Sequence, residues 1–221
     1  MLKRILVWDV PTRVFHWLLV LSFFGAFVTA ESERYRDIHV VLGYTLLGLI
    51  GFRLLWGFFG TRYAQFRSFL FRPGEITAYF FSLLKGKPGH YVGHNPLGSV
   101  AIWLLLGLGI ASGVTGVLIF EEIGGDVLEE LHEVLSHAML IVVFIHIAGV
   151  VVSSLLHREN LVRSMLTGYK TAESDKAINR SYLWLGALLL AAVLAFWVWY
   201  PETGLVTQGA ESAQTGQQEA D

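Results

Sequence analysis

Histidine is the main source of metal-binding chemistry in this chain, which has eight histidines and no cysteine. The lack of cysteine excludes disulfides, thiolate metal sites, iron–sulfur clusters and haem attached through thioether bonds. His132 and His146 lie 14 residues apart. His132 precedes an uncharged apolar run at 138–156, and His146 lies inside it. On an α-helix this spacing places both rings on one face, about 21 Å apart along the axis. His137 falls on the opposite face from His146.

Two imidazoles stacked along one membrane helix are typical of a pair of haems, each held by axial histidines from two helices. Iron with an imidazole on both sides has no open position for oxygen chemistry and suits electron transfer. Two other interpretations stay open at this point. The histidines could be polar residues bonded to neighbouring helices, or they could carry protons or a metal in a haem-free transporter or signalling protein.

The composition predicts an integral membrane protein. Hydrophobic residues make up 54% of the 221 residues, charged residues only 15%, and there are seven tryptophans. The mean hydropathy is +0.54. The net charge of −2 is too small for a global basic field, so we expect no nucleic-acid partner.

Five apolar runs predict five membrane-spanning helices, with the lipid bilayer as a partner. The first begins after Lys3 and Arg4 and ends in small residues at Ala30, a pattern that also imitates a cleavable signal peptide. We interpret it as a retained span. Asn95 and Pro96 predict the start of the third span. The runs are 14–30, 38–56, 97–120, 138–156 and 181–200.

The two long connections are basic: segments 60–96 and 158–180 each carry five Lys or Arg. The positive-inside rule therefore places them and the N-terminus in the cytoplasm, and the C-terminus in the periplasm. Within segment 60–96 the apolar residues 76–84 predict an amphipathic surface helix. His90 and His94 lie in the same segment, without acidic or thiol companions, and we predict no metal site there.

This topology sorts four histidines into two pairs at two depths. His16 and His146 lie toward the cytoplasm, and His39 and His132 toward the outside. Gly43 lies one turn after His39 and leaves room for a flat macrocycle, although packing between helices explains it equally well.

Haem propionates need cationic or hydrogen-bonding partners. Arg13, Arg34, Arg36 and Arg53 lie near the predicted levels. Arginine at the end of a membrane helix also commonly anchors at the interface, which is the alternative for each of them.

Four motifs resemble the bacterial cytochrome b561 and hydrogenase-type cytochrome b family, over roughly residues 5–170. These motifs are WDVPTRVFHW at 8–17, HVVLGY with FRLLWG at 39–57, GHNPLG at 93–98, and HRENLVRSMLTG at 157–168.

The resemblance implies an all-α membrane protein, in which a four-helix bundle holds two non-covalent b haems. It implies bis-histidine ligation by His16, His39, His132 and His146. His137 lies close enough to His132 to replace it. The resulting domains are a haem-binding domain (1–170), a linker with a fifth transmembrane helix (171–200), and a polar, acidic, disordered periplasmic tail (201–221).

The expected function is electron transport in the bacterial inner membrane, between the quinone pool and a periplasmic redox protein such as a c-type cytochrome. The protein would be an electron carrier or an oxidoreductase subunit rather than a stand-alone enzyme. An alternative is the membrane cytochrome b subunit of a larger, hydrogenase-like oxidoreductase, and homo- or hetero-oligomers are compatible with either. Acidic residues before the fourth span would steer a basic partner, or simply mark an extracellular loop: Glu121, Glu122, Asp126, Glu129 and Glu130.

Overall fold

The computed structural model describes residues 2–200, so the predicted tail at 201–221 lies outside the described residues. Seven α-helices and two short strands make up this part of the chain. In chain order they are β1 (Leu2–Leu6), α1 (Val10–Thr29), α2 (Arg36–Phe59), α3 (Pro73–Leu84), α4 (Pro96–Phe120), α5 (Gly125–His157), α6 (Leu161–Thr167), β2 (Tyr169–Glu173) and α7 (Leu183–Trp199).

Helices α1, α2, α4 and α5 are long and apolar enough to cross a membrane. They correspond to the first four predicted spans and confirm a multi-pass membrane protein. Helix α7 has 17 residues and is the one shorter apolar helix in the described chain. It forms where the fifth span was predicted, but whether it crosses the bilayer stays a prediction.

Local sequence explains where the spanning helices begin. Asp9 caps α1 by accepting a hydrogen bond of 2.7 Å from the Thr12 amide. Asn95 caps α4 in the same way through the Gly98 amide, and Pro96 occupies the first turn, as predicted. The amphipathic segment also forms a helix, α3, which buries Tyr79.

Helix α5 is longer than its apolar core. It spans 33 residues, or roughly 50 Å at about 1.5 Å per residue, against about 30 Å for the hydrocarbon core of a bilayer. Its first turns carry Asp126, Glu129 and Glu130, which we had expected in a loop. The acidic segment is therefore mostly helical, and continues the fourth spanning helix beyond its apolar part.

Two strands were not predicted. Strand β1 pairs antiparallel with β2, with Leu2 opposite Glu173 and Leu6 opposite Tyr169. Pairing over so long a separation is a tertiary event, for which two isolated five-residue segments carry little local signal. The small sheet joins the beginning of the chain to the segment after α6.

The basic segments meet at the same end of the molecule as this sheet. The Tyr63 hydroxyl donates to the Lys176 carbonyl at 2.8 Å, and Lys170 Nζ donates to the Val92 carbonyl at 3.1 Å. The Trp8 ring lies 6.3 Å from the Tyr63 ring. The structure thus brings the N-terminus and both basic connections to one end, which we call the basic end.

The main core cluster lies between the four long helices. It combines Phe23 of α1, Leu46 and Ile50 of α2, Leu106 of α4 and Met139 of α5, and it continues into the aromatic residues after α2. Helix α7 packs against α1 and adds Val193 to a second cluster of four buried residues, with Phe15, Leu18 and Leu49. Trp197 also donates its indole N–H to the Thr45 hydroxyl at 2.8 Å.

Candidate functional site

The structure brings the rings of His39 of α2 and His132 of α5 close together, in a nearly perpendicular arrangement. Their ring centroids lie 6.2 Å apart, with 77° between the ring planes. A metal–imidazole bond is about 2.0 Å, and a ring nitrogen lies about 1.1 Å from its ring centre, so a metal between two imidazoles holds the centroids about 6 Å apart. The spacing of His39 and His132 fits such a metal.

Two imidazoles alone do not make a site for a bare ion. Within residues 2–200 no group of three or more His, Cys, Asp or Glu could hold a metal. A bare zinc ion usually takes four ligands or leaves one position for water. The pair therefore suits a metal that brings its own equatorial ligands, as haem iron does.

Hydrogen bonds set the orientation of both rings. His39 Nδ1 donates to the Ala26 carbonyl at 2.8 Å, and His132 Nδ1 donates to the Ser112 carbonyl at 2.9 Å. The Thr115 hydroxyl lies 3.1 Å from the same His132 nitrogen. A carbonyl can only accept, so Nδ1 carries the proton in each ring, and Nε2 keeps the lone pair that binds a metal.

A cavity of about 490 Å³ lies beside this pair. Its size is within the range of small-molecule and cofactor pockets. His39, His132 and Gly43 line it, and a Cβ placed at Gly43 meets no atom within 4 Å. A Cβ at Gly116, another lining residue, would lie 3.0 Å from the His132 ring. Glycine thus provides open space at one position and room for a histidine ring at the other.

His137 takes a different position on the same helix. Its Nδ1 donates to the carbonyl of Glu133, one turn earlier, and its ring lies 5.6 Å from the Phe27 ring. It lines the cavity, but the ring opposite His39 is that of His132.

The other predicted pair lies toward the basic end. His16 of α1 and His146 of α5 are within electrostatic range of each other. Both residues are half-buried, and His16 Nδ1 is a buried atom without a hydrogen-bond partner in the described chain. The structure therefore brings His39 and His132 into ring contact, and it places His16 and His146 within electrostatic range of each other.

Two of the four candidate arginines, Arg13 of α1 and Arg53 of α2, hold buried donors. Arg53 is only 4% exposed, with its guanidinium 5.0 Å from the Phe66 ring centre. Its Nη1 and the Nε of Arg13 are buried and lack a partner among residues 2–200. Arg13 also donates through Nη1 to the Leu166 carbonyl at 2.5 Å. Unsatisfied buried donors are costly, and an anionic group would satisfy these.

The remaining two arginines lie near the outer pair. Arg36 lines a cavity of about 220 Å³ that shares His39 and His132 with the larger one. Arg34 instead places its guanidinium 5.6 Å from the ring centre of Tyr35. Arg36 is therefore the better placed of the two for a propionate.

Asp9 was not singled out from the sequence. Besides the Thr12 amide, it accepts hydrogen bonds from Trp56 Nε1 at 3.1 Å and from the Thr61 hydroxyl at 2.5 Å. It ties the start of α1 to the end of α2. Its place in the WDVPTR segment, before a proline, was the available signal for a helix cap.

The third span also contributes more than packing. Helix α4 contains no histidine and no charged residue, so its sequence offers no candidate ligand. The structure shows that Ser112 and Thr115 orient His132, and that Ser112 Oγ lies 2.8 Å from Ser136 Oγ. Such contacts depend on which helix faces which, and no local pattern predicts them.

Comparison with known proteins decides the family. The family model described as prokaryotic cytochrome b561 matches residues 7–168. The chain belongs to this family. As a prokaryotic cytochrome b561, it is a multi-pass membrane protein of electron transport, and its b-type character implies haem b. The match contains all four paired histidines and ends before α7.

Curated relatives of this cytochrome b561 carry one name, probable Ni/Fe-hydrogenase B-type cytochrome subunit. The Rhodobacter capsulatus protein is 25% identical, over 77% of this chain and 82% of its own. Those of Azotobacter vinelandii and Rhizobium leguminosarum bv. viciae are 24% and 22% identical, over 77% and 75% of this chain and 90% and 88% of their own. No solved structure matches significantly.

Proposed function

We propose that this cytochrome b561 transfers electrons across the membrane through two bis-histidine b haems, between the quinone pool and a periplasmic redox partner such as a c-type cytochrome. His16 and His146 would hold the inner haem, and His39 and His132 the outer one. The observation that carries the proposal is the 6.2 Å separation of the outer rings beside a cavity of about 490 Å³.

The protein's own residues do the positioning. When bound, haem iron supplies reversible one-electron exchange. His39 and His132, and likewise His16 and His146, would each bind the iron from both sides, and a haem held in this way would favour electron transfer over bond-making. The hydrogen bonds from Nδ1 to the Ala26 and Ser112 carbonyls hold the rings before the cofactor arrives. Apolar side chains such as Phe23 and Met139 line the cavity and limit the access of water.

Arginines would hold the propionates. Arg36 lines the smaller of the two cavities beside His39 and His132, and Arg13 and Arg53 carry buried, unpaired donors toward the basic end. Guanidinium groups bind carboxylates through paired N–H donors. Gly43 would leave space for the edge of the outer macrocycle.

The orientation in the membrane follows from charge. We place the basic end in the cytoplasm and the acidic start of α5 in the periplasm. Helix α7 would then cross the membrane as a fifth span and carry the C-terminus to the periplasm. Its 17 residues are at the lower limit for spanning. Its packing against α1 supports a helix that belongs to the bundle.

The second candidate is the membrane cytochrome b subunit of a larger oxidoreductase. It is favoured by the relatives' shared name, which assigns them to Ni/Fe-hydrogenases. The two candidates share the haem core and differ in the protein that exchanges electrons with the outer haem. The family supports electron transfer over the haem-free transporter considered from the sequence.

The first test is the haem-to-protein ratio of the detergent-purified chain, with its oxidised and reduced visible spectra. We expect two non-covalent b haems, both low-spin. One haem would show that one histidine pair is wrongly assigned. A chain without haem, even when it is supplied during expression, would contradict the proposal.

The second test separates the two candidates for the partner. The purified protein is placed in vesicles with a reduced quinol inside and a c-type cytochrome outside. Reduction of the external cytochrome supports the carrier. The subunit interpretation instead predicts no such transfer, and stable co-purification with an oxidoreductase from the native membrane.

A further inference from the structure

His94 is a buried polar residue that belongs neither to the predicted ligand pairs nor to the candidate arginines. It lies two residues before α4, between the Trp8 ring at 4.8 Å and the Phe69 ring at 4.7 Å, measured between centroids. Its Nδ1 is buried and has no hydrogen-bond partner within residues 2–200. In the sequence, this histidine lies in a basic segment without acidic or thiol companions, which predicts no metal site.

The neighbours of His94 belong to the inner pair. His16, His146 and Arg53 are all within electrostatic range of it. Arg53 and His94 also contact the same aromatic ring, since the guanidinium lies 5.6 Å from the Phe69 centre. Two buried nitrogens without a partner in the described chain, Arg53 Nη1 and His94 Nδ1, thus belong to side chains that contact the same Phe69 ring.

Apart from Arg53 itself, the charged groups close to Arg53 and His94 already have hydrogen-bond partners. Asp9 accepts from three neutral donors, and Lys170, also within range of His94, is held by Glu159 at 3.3 Å and the Val92 carbonyl. Burial lowers the pKa of His94 to about 3, so its ring is neutral and donates a single N–H. A neutral donor beside a guanidinium suits a carboxylate with two oxygens to satisfy.

We propose that His94 donates its Nδ1–H to a propionate carboxylate of the haem held by His16 and His146, beside Arg53. His94 is therefore a positioning residue for the inner haem and not an axial ligand. This inference rests on the proposed function, because it requires a haem at the inner pair.

Two substitutions of similar size and polarity test which of the two His94 ring nitrogens makes the contact. In His94→Asn the amide takes the place of Nδ1, whereas in His94→Gln the longer side chain places it near Nε2. His90→Gln is the matched control, because it lies in the same segment, is about half exposed, and pairs with Glu159 at 3.6 Å. The readouts are haem content, low-spin spectra and a redox titration with two one-electron components.

We expect all three variants to keep two low-spin haems. His94→Gln should shift the reduced-to-oxidised ratio of the inner haem at least tenfold toward the oxidised form at a fixed potential, or about 59 mV for one electron. The reason is that a propionate that loses a hydrogen-bond donor exposes more of its negative charge to the iron, which stabilises the ferric form. His94→Asn should change this ratio less than threefold, and His90→Gln should not change it. The inner component is the one that His146→Ala removes.

Three results would overturn the inference. The first is that His94→Gln keeps two low-spin haems and that the potentials of both haems are unchanged. Another is loss of low-spin ligation at the inner haem, which would make His94 an axial ligand. The third is a tenfold shift in His94→Asn, which also decides the case if His94→Gln does not fold. A wild-type chain without an inner haem would instead contradict the proposed function.

Discussion

The outer and inner sites are built in different ways. At the outer site, His39 and His132 are held by carbonyls of the spanning helices α1 and α4, beside a cavity that glycines keep open. At the inner site, the groups around His16 come from separate segments, and several buried donors lack partners in the described chain. We infer that the proposed outer site is preformed by helix packing, whereas the proposed inner site depends on the connections that fold over the basic end.

Removing an outer imidazole should have the largest effect. His132→Ala should lower the haem content from two per chain to one, with the inner haem unchanged, because His39 alone cannot close the axial site. His137→Ala is the matched control and should keep both haems. Haem content is measured as the pyridine haemochrome per protein. The reverse result, with haem lost in His137→Ala alone, would assign the outer ligand to His137.

Filling the outer cavity should come next. Gly43→Leu places a side chain in the open space beside His39 and should reduce the outer haem to well below one equivalent. Gly48→Leu is on the same helix, also meets no atom within 4 Å and is exposed, so it should keep both haems. Redox titration identifies which haem is lost. Equal haem content in the two variants would show that Gly43 serves only helix packing.

Asp9→Ala tests the dependence of the inner site on long-range contacts. It removes the α1 cap and leaves the Trp56 and Thr61 donors unpaired, at a cost of about 2–4 kcal/mol in unfolding free energy. We expect the inner haem to dissociate before the outer one on heating. The control Asp175→Ala, at an exposed position, should stay within about 0.5 kcal/mol of wild type. Simultaneous loss of both haems would contradict the difference between the sites.

The smallest effect is expected for a hydrogen-bonding partner of a ligand. Thr115→Val removes the hydroxyl 3.1 Å from His132 Nδ1, while the Ser112 carbonyl remains at 2.9 Å. The outer haem should bind at most about tenfold more weakly. A tenfold loss is the lower end of the range for removing a contact that orients a metal ligand. Ser99→Ala, on the same helix with its hydroxyl bonded to the Pro96 carbonyl, should not change haem affinity. An effect of a hundredfold would mean that Thr115 is the main partner of His132.

Much of the architecture was accessible from the sequence alone. The apolar runs predicted the four long helices because the absence of water in a bilayer requires continuous helices. The positions of Asn95 and Pro96 predicted where α4 starts. The 14-residue spacing and the charge distribution predicted which histidines share a depth. The structure places His39 beside His132, while haem ligation by the two pairs stays a prediction.

The tertiary structure decided everything that depends on which surfaces meet. The pairing of β1 with β2, the hydrogen bonds from α4 to His132, and the burial of His94 beside Phe69 join residues that are distant in the chain. Helical periodicity determines the face on which a side chain lies, but not the neighbour opposite that face. Packing selects those neighbours, and it therefore determines whether a histidine is part of a binding site.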